Sequence, residues 1–414
     1  MNIYTIIILA TLIIGFLLNL VSDFLNLKNL SSNIPEEFAD SIDNDTYAKS
    51  QKYLRTRTGY GFITSTFDLV LLLAFWFAGG FNYLDLFVRQ FFATEITRGL
   101  VYIGILALAN AIINLPFSIY STFVIEEKFG FNRTTVKTYI SDLIKSTILS
   151  ALIGLPVIAL IIYIIQSAGS QAFLFAWLAV IAISLIITYI APTLIMPIFN
   201  KFKPLEDGEL KKAILDFADK VKFPLSNVFV MDGSKRSSKS NAFFTGFGKH
   251  KRIALYDTLI ENHNTNELLA VLAHEIGHYK KKHILQGTII QFIHLGILFF
   301  LMSLFIKDRA LFDAFYMENM SIYSGLIFFA MLYTPIDMII SMFINILSRR
   351  NEYQADKFAA DNLGTGDFLI KALKKLSKDN LSNLTPHPFY VFLNYSHPPL
   401  SSRIEAIQDC NKED

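Results

Sequence analysis

Apolar positions along this chain gather into long unbroken runs and are not spread at the spacing of a soluble core. Seven stretches, at about residues 3–20, 61–80, 99–118, 146–166, 172–196, 285–305 and 321–346, are strongly apolar and contain no Lys or Arg. A membrane-crossing helix needs about 20 mostly apolar residues, so each stretch is expected to span a bilayer. The runs 172–196 and 285–305 are the clearest, whereas polar residues interrupt 61–80 and 99–118. The first run lacks the positive start and small-residue cleavage site of a secretory signal, and reads as a retained anchor.

The polar regions carry a different pattern. Residues 201–284 read as α+β, with a helix over 208–221 and strands over 227–231, 242–246 and 252–256. The last two strands flank a turn containing Gly248, Lys249 and His250, the pattern of a β-hairpin. A helix then starts where Asn264 and Glu267 have the spacing of a capping box. It runs through Leu268, Leu269, Val271 and Leu272, and is read as able to continue into the sixth span. Residues 347–414 continue the seventh span and end in a Pro-rich stretch from Pro386 to Pro399. The expected organisation is a membrane region over 1–200 (spans one to five), an α+β region over 201–284, spans six and seven over 285–346, and a carboxy-terminal region over 347–414.

Composition agrees with a membrane protein. Of the 414 residues, 53% are hydrophobic and 17% charged, where soluble proteins carry about a quarter charged. A net charge of +2 without any basic block argues against a nucleic-acid partner. The single cysteine, Cys410, excludes an intramolecular disulfide and a cysteine-based metal cluster. With seven spans, the segments on one side hold 33 Lys and Arg and those on the other side 4. The positive-inside rule therefore puts the amino terminus outside and both large polar regions in the cytoplasm.

The strongest chemical signal is His274-Glu275-Ile276-Gly277-His278. On a helix, residues i and i+4 share a face, so both imidazoles can reach one metal ion. The glutamate between them is placed to take a proton from the attacking water, the arrangement of a zinc metalloprotease. A catalytic zinc takes three protein ligands, and no third histidine follows at close spacing. Glu352 is the best candidate, because the hairpin of spans six and seven would return it to the membrane surface that carries the histidines. Asp356, one helical turn further on, could orient a liganding histidine through its free N–H. By composition alone, Glu352 and Asp356 also read as surface acids balancing Arg349 and Arg350.

Together these stretches resemble the type I CAAX prenyl protease family of integral-membrane zinc endopeptidases. The resemblance rests on Ile125-Glu126-Glu127-Lys128-Phe129-Gly130-Phe131-Asn132 and on 232–242, within which Ser240-Asn241-Ala242 lies. It also rests on the histidine motif, on Glu352 to Asp356, and on Ser396-His397-Pro398-Pro399 with Arg403. Lys239 departs from it, since the family often has His there. The resemblance implies a mainly α fold of seven transmembrane helices around a water-filled chamber, with one catalytic zinc facing inward near the cytoplasmic side. It implies Glu275 as general base, His274, His278 and Glu352 as zinc ligands, and Asp356 as a proton donor or a partner of a ligand. The strand carrying Asn241, Ala242 and Phe243 would be the edge along which substrate lies, and His397 would stabilise the tetrahedral intermediate.

The expected partners are a bilayer and a peptide or protein substrate, prenylated or not; no oligomeric state is expected from the sequence. The alternative within enzymology is a quality-control metalloprotease without prenyl specificity. A transporter using the same chamber would need neither zinc ligands nor a base. His283, read as lying on the same side of a continuous helix as His274, suits a chamber lining better than a second metal. His294, Asp68 and Asp337 lie within spans and suit a chamber wall. His250 and His263 read as solvated loop residues.

Overall fold

Each apolar run coincides with part of a longer helix in the computed structural model, which describes residues 2–245 and 251–410. The spans are Ile3–Lys28, Asn44–Phe77, Glu95–Glu126, Val136–Ser167, Gly169–Phe199, His283–Phe305 and Ile322–Leu363. Polar caps explain the extra length. Asp43, Thr94 and Thr135 each accept a hydrogen bond from the N–H three residues on, which adds polar turns before the apolar run begins.

The spans follow one another around a ring, which span seven narrows at one end by also packing on spans three and four. Spans one and two, three and four, four and five, five and six, and six and seven are neighbours, and span seven packs back on span one. Spans two and three meet where the Tyr60 hydroxyl donates to the Phe117 carbonyl, 2.7 Å away. The ring encloses space, since a cavity of about 630 Å³ lies against Gln291 and His294 of span six and Ile344 and Leu347 of span seven. Asp68 and Asp337 are exposed within their spans, and charged side chains in spans usually face such an interior.

One end of the ring is plugged by an aromatic core containing Trp76, Phe81, Tyr102, Phe315, Tyr323 and Phe328. A short helix between spans two and three, Gly80–Phe91, supplies part of it by burying Phe81, Asp85 and Val88. That helix has a strong amphipathic pattern but is too short to register as a span.

The other end carries the polar regions. Span seven has 42 residues, about 60 Å at 1.5 Å per residue, which is twice the bilayer core of about 30 Å. Its last turns stand clear as a helix of the polar region. A four-stranded sheet, β1 (Phe202–Pro204), β2 (Leu225–Met231), β3 (Ala242–Thr245) and β4 (Lys251–Tyr256), has the order β1-β2-β4-β3. The expected hairpin is present: β3 runs antiparallel to β4, with Ala242 opposite Leu255 and Thr245 opposite Arg252. Its turn, with Gly246, Gly248, Lys249 and His250, lies outside the described residues. Strand β1 was not expected; three residues leave too short a pattern to read.

The core of this end combines Phe38 and Ile42 from the connection between spans one and two, and Tyr47 from the start of span two, with Phe217, Ile253, Leu272 and Ile407. The approach to β3 is tied to the spans. Arg236 makes two hydrogen bonds to Asp142, at 2.7 and 2.9 Å. Lys239 Nζ lies 3.0 Å from Glu126 and 2.8 Å from the Tyr53 hydroxyl.

Candidate active site

The helix Thr265–Lys280 carries the histidine motif and starts where the sequence predicts. Asn264 Oδ1 accepts from the Glu267 N–H at 2.9 Å, and Glu267 Oε2 accepts from the Asn264 N–H at 3.2 Å. The helix buries Leu268, Leu272 and Ile276 together with His274. Gly277 lets it approach span seven closely. A Cβ on Gly277 would stand 3.1 Å from the Ala355 carbonyl oxygen and 3.2 Å from the Ala355 Cα. Glu352, one turn before Asp356 on span seven, is thereby brought against both histidines.

Three donor atoms converge. His274 Nε2 lies 3.1 Å from His278 Nε2; Glu352 Oε2 is 3.5 Å from the first and Glu352 Oε1 3.3 Å from the second. Bonds of about 2.0–2.1 Å to a tetrahedral ion put neighbouring ligand atoms roughly 3.3 Å apart, so the set fits a divalent cation. Glu352 is 4% exposed, and its Oε2 is buried without a hydrogen-bond partner among the described residues. Burial disfavours charge on His274, yet the contact with Asp356 and the nearby Glu352 carboxylate outweigh it and raise its pKa to about 9. The cluster attracts positive charge.

A second layer holds the first. Asp356, 1% exposed, puts Oδ1 2.8 Å from His274 Nδ1, which leaves Nε2 of His274 free for a metal. Arg403 binds the same carboxylate from behind and places Nη1 3.6 Å from Glu352 Oε2. Its role was not assigned from sequence. The available signal was its spacing: Arg403 occupies a buried position beside Ile404 and Ile407 on the helix Leu400–Cys410.

Glu275, Ala242, Phe243, His278 and His283 line one cavity of about 630 Å³, and His294 lies further along it. Asn241 does not line that cavity: its Oδ1 accepts from the Ala242 N–H at 2.8 Å, and its carbonyl takes the Tyr256 N–H. His397 does not line that cavity either but reaches Glu352 from outside, with Nε2 3.4 Å from Glu352 Oε1 and a side chain 64% exposed. His294 and Asp337 are 3.3 Å apart. His263 corrects an expectation: it is buried, with Nδ1 3.1 Å from the Leu259 carbonyl, because it closes the end of a short helix and is no solvated loop residue. His283 meets His278, Nδ1 to Nδ1, at 3.0 Å.

Comparison with known proteins agrees with this geometry. Residues 23–201 match the CAAX prenyl protease N-terminal family, described as five membrane helices, and residues 204–411 match peptidase family M48. The CAAX prenyl protease 1 homolog of Arabidopsis thaliana is 37% identical, covering 97% of this chain and 98% of the plant protein. CAAX prenyl protease 1 of Saccharomyces cerevisiae is 36% identical over 92% of this chain and 89% of its own length. The crystal structure of S. mikatae Ste24p superposes with a TM-score of 0.91 at 36% identity, covering 98% of this chain and 99% of that one. The chain belongs to peptidase family M48, with the five-helix amino-terminal region of the CAAX prenyl proteases, and is an integral-membrane metallopeptidase.

Proposed function

We propose that this protein is a zinc endopeptidase that cleaves near the carboxy terminus of CAAX-type, membrane-associated substrates. The observation that carries the reading is the convergence of His274, His278 and Glu352 beside a cavity lined by Glu275 and the edge strand β3. Relatives named CAAX prenyl proteases, similar over nearly their whole length, supply the substrate class.

His274 Nε2, His278 Nε2 and a Glu352 oxygen would hold the zinc, which when bound polarises the scissile carbonyl and lowers the pKa of water. An extended peptide pairs with β3, where main-chain hydrogen bonds give affinity and neighbouring pockets select side chains. Glu275 accepts the proton of the attacking water as the new C–O bond forms. It then delivers that proton to the amine nitrogen as the C–N bond breaks. His397 donates a hydrogen bond to the developing oxyanion. Asp356 holds His274 in the tautomer whose Nε2 is free. In this reading the chain divides as its sequence suggests, at 200, 284 and 346, and the site faces the cytoplasm because basic residues favour that side.

The test is hydrolysis of a farnesylated CAAX peptide and of its unprenylated counterpart by purified protein, with and without a zinc chelator. Chelator-sensitive cleavage that prefers the farnesylated peptide is expected. Equal cleavage of both would favour a quality-control protease, and cleavage indifferent to chelator and to added zinc would end the proposal.

A further inference from the structure

The two histidines of the motif are held by different partners. Behind His274 stands a carboxylate, Asp356. Behind His278 stands another imidazole: His278 Nδ1 and His283 Nδ1 are 3.0 Å apart, and His283 Nε2 lies 3.1 Å from Gln354 Oε1. His283 is 7% exposed. Gln354 lies on span seven between Glu352 and Asp356, so the group that backs His283 and the carboxylate that backs His274 come from the same helix, while His283 itself opens span six.

This contact depends on a break in the chain. On a continuous helix, His283 would stand about 140° around the axis from His278 and about 180° from His274 at 3.6 residues per turn, which corrects the same-side placement expected from the sequence. The motif helix instead ends at Lys280, and Lys282 takes the left-handed conformation, with φ 63° and ψ 24°. A non-glycine residue is uncommon there and costs conformational energy. The turn redirects the chain so that the first residue of span six falls against the side of His278 remote from Glu352.

We infer that His283 is a positioning residue for the metal site: a neutral imidazole whose Nδ1 accepts the Nδ1–H of His278 while Gln354 fixes its tautomer. A His278 that ligates through Nε2 must carry its proton on Nδ1. His283 Nδ1 is then the acceptor, and its proton sits on Nε2, where the Gln354 carbonyl oxygen receives it. All three groups are satisfied by one proton arrangement. The two supports differ in charge. Asp356 raises the basicity of His274, whereas a neutral acceptor orients His278 without adding negative charge to a site that already contains Glu352.

This inference rests on the reading of His278 as a ligand, and one measurement separates the two. Full-length protein in detergent, loaded with one equivalent of zinc, is mixed with excess chromophoric chelator, and the rate of zinc release is followed. His283→Leu should release zinc about 10–100-fold faster, the usual range for a lost supporting partner. His283→Asn, whose amide oxygen can stand where Nδ1 stands, should stay close to the wild-type rate. Gln354→Leu, which leaves both rings in place, should fall between them. Thermal midpoints of the metal-free variants should match the wild type. Wild-type release from His283→Leu, or equal acceleration by Leu and Asn, overturns the inference. If His283→Leu also unfolds early without metal, Gln354→Leu decides, and a wild-type rate there overturns it. If His278→Ala itself holds zinc as the wild type does, the ligand assignment fails instead.

Discussion

Arg403 grips Asp356 through two hydrogen bonds, Nε to Oδ2 at 2.8 Å and Nη2 to Oδ1 at 2.6 Å. Both side chains are almost fully buried, and Asp356 uses its remaining capacity on His274 Nδ1 at 2.8 Å. A residue more than a hundred positions beyond the histidines therefore sets the direction of one of them. The planar guanidinium fork can hold a carboxylate at a fixed angle; an ammonium cannot.

Replacing Arg403 by Met takes the guanidinium from a buried, doubly hydrogen-bonded pair with Asp356, and breaking a buried pair costs about 3–5 kcal/mol. Thermal denaturation of the metal-free protein should show that loss. Arg403→Lys keeps charge but not the fork, so it should keep more stability while still binding zinc more weakly. Equal zinc affinity in Arg403→Lys and wild type would show that the fork orients nothing.

Asp356→Ala removes the partner of His274 and should weaken zinc binding or turnover about 10–100-fold. Zinc titration against a competing chelator, alongside a rate assay, checks it. Unchanged affinity and an unchanged rate would reduce Asp356 to a structural anion for Arg403.

The Glu275 carboxylate lies on the cavity and outside the converging donor set. Glu275→Gln keeps its shape but removes charge and basicity. Zinc content and thermal midpoint should stay at wild-type values while most of the turnover disappears. Near-normal hydrolysis by a zinc-loaded Gln variant would mean that another group takes the proton.

Gly277 sits between the base and the second histidine for a steric reason, since its Cβ position faces Ala355 backbone atoms at 3.1 and 3.2 Å. Backbone cannot swing aside as a side chain does. Gly277→Ala should push the motif helix away from span seven, at about 1–3 kcal/mol for overpacking. Because the displacement separates the histidines from Glu352, zinc affinity should fall along with stability. A destabilised variant with normal zinc affinity would show that the two helices move apart without opening the site.

How far the site is legible in the sequence depends on what each feature needs. The motif histidines need only helical phase, and the apolar runs need only length, so both read directly. The span ends do not, because capping by Asp43, Thr94 and Thr135 adds polar turns that no apolar count detects. Glu352 and Asp356 stand one turn apart, which marks them as a pair. Their burial, which rules out the surface-acid reading, depends on tertiary approach at Gly277. Arg403 was visible as a charge on an apolar helix face. The contact of His283 with His278 was invisible, since it turns on one backbone conformation, at Lys282.

Basic residues predict that the amino terminus lies outside and the carboxy terminus in the cytoplasm. The ring of seven spans requires only that the ends be on opposite sides. Reporter fusions at residues 2 and 414 should therefore report opposite compartments, with the cytoplasmic signal at the second. The reverse assignment would put the metal site on the outer face and remove cytoplasmic substrates from consideration.

His397 has an exposed side chain beside Glu352, and its two nitrogens are differently engaged. Nδ1 lies 3.0 Å from the Ser396 hydroxyl, and Nε2 lies 3.4 Å from Glu352 Oε1. If the serine hydroxyl donates to Nδ1, the proton of a neutral ring sits on Nε2, the atom that faces Glu352. Pro398 follows, and the residue before a proline has restricted backbone freedom, so the ring is carried on a stiff segment. A donor fixed in this way next to the reacting carbonyl strengthens its hydrogen bond as negative charge develops on that oxygen. Loss of such a donor costs about 100–1,000-fold in kcat. His397→Ala should therefore lower kcat by at least about 100-fold while KM and zinc content stay nearly unchanged, the pattern of an interaction made only in the transition state. Ser396→Ala should have a smaller effect of the same kind, since it frees the tautomer but leaves the ring. If His397→Ala instead lowers stability, and the folded fraction turns over normally, the histidine serves only to fasten the carboxy-terminal segment to Glu352.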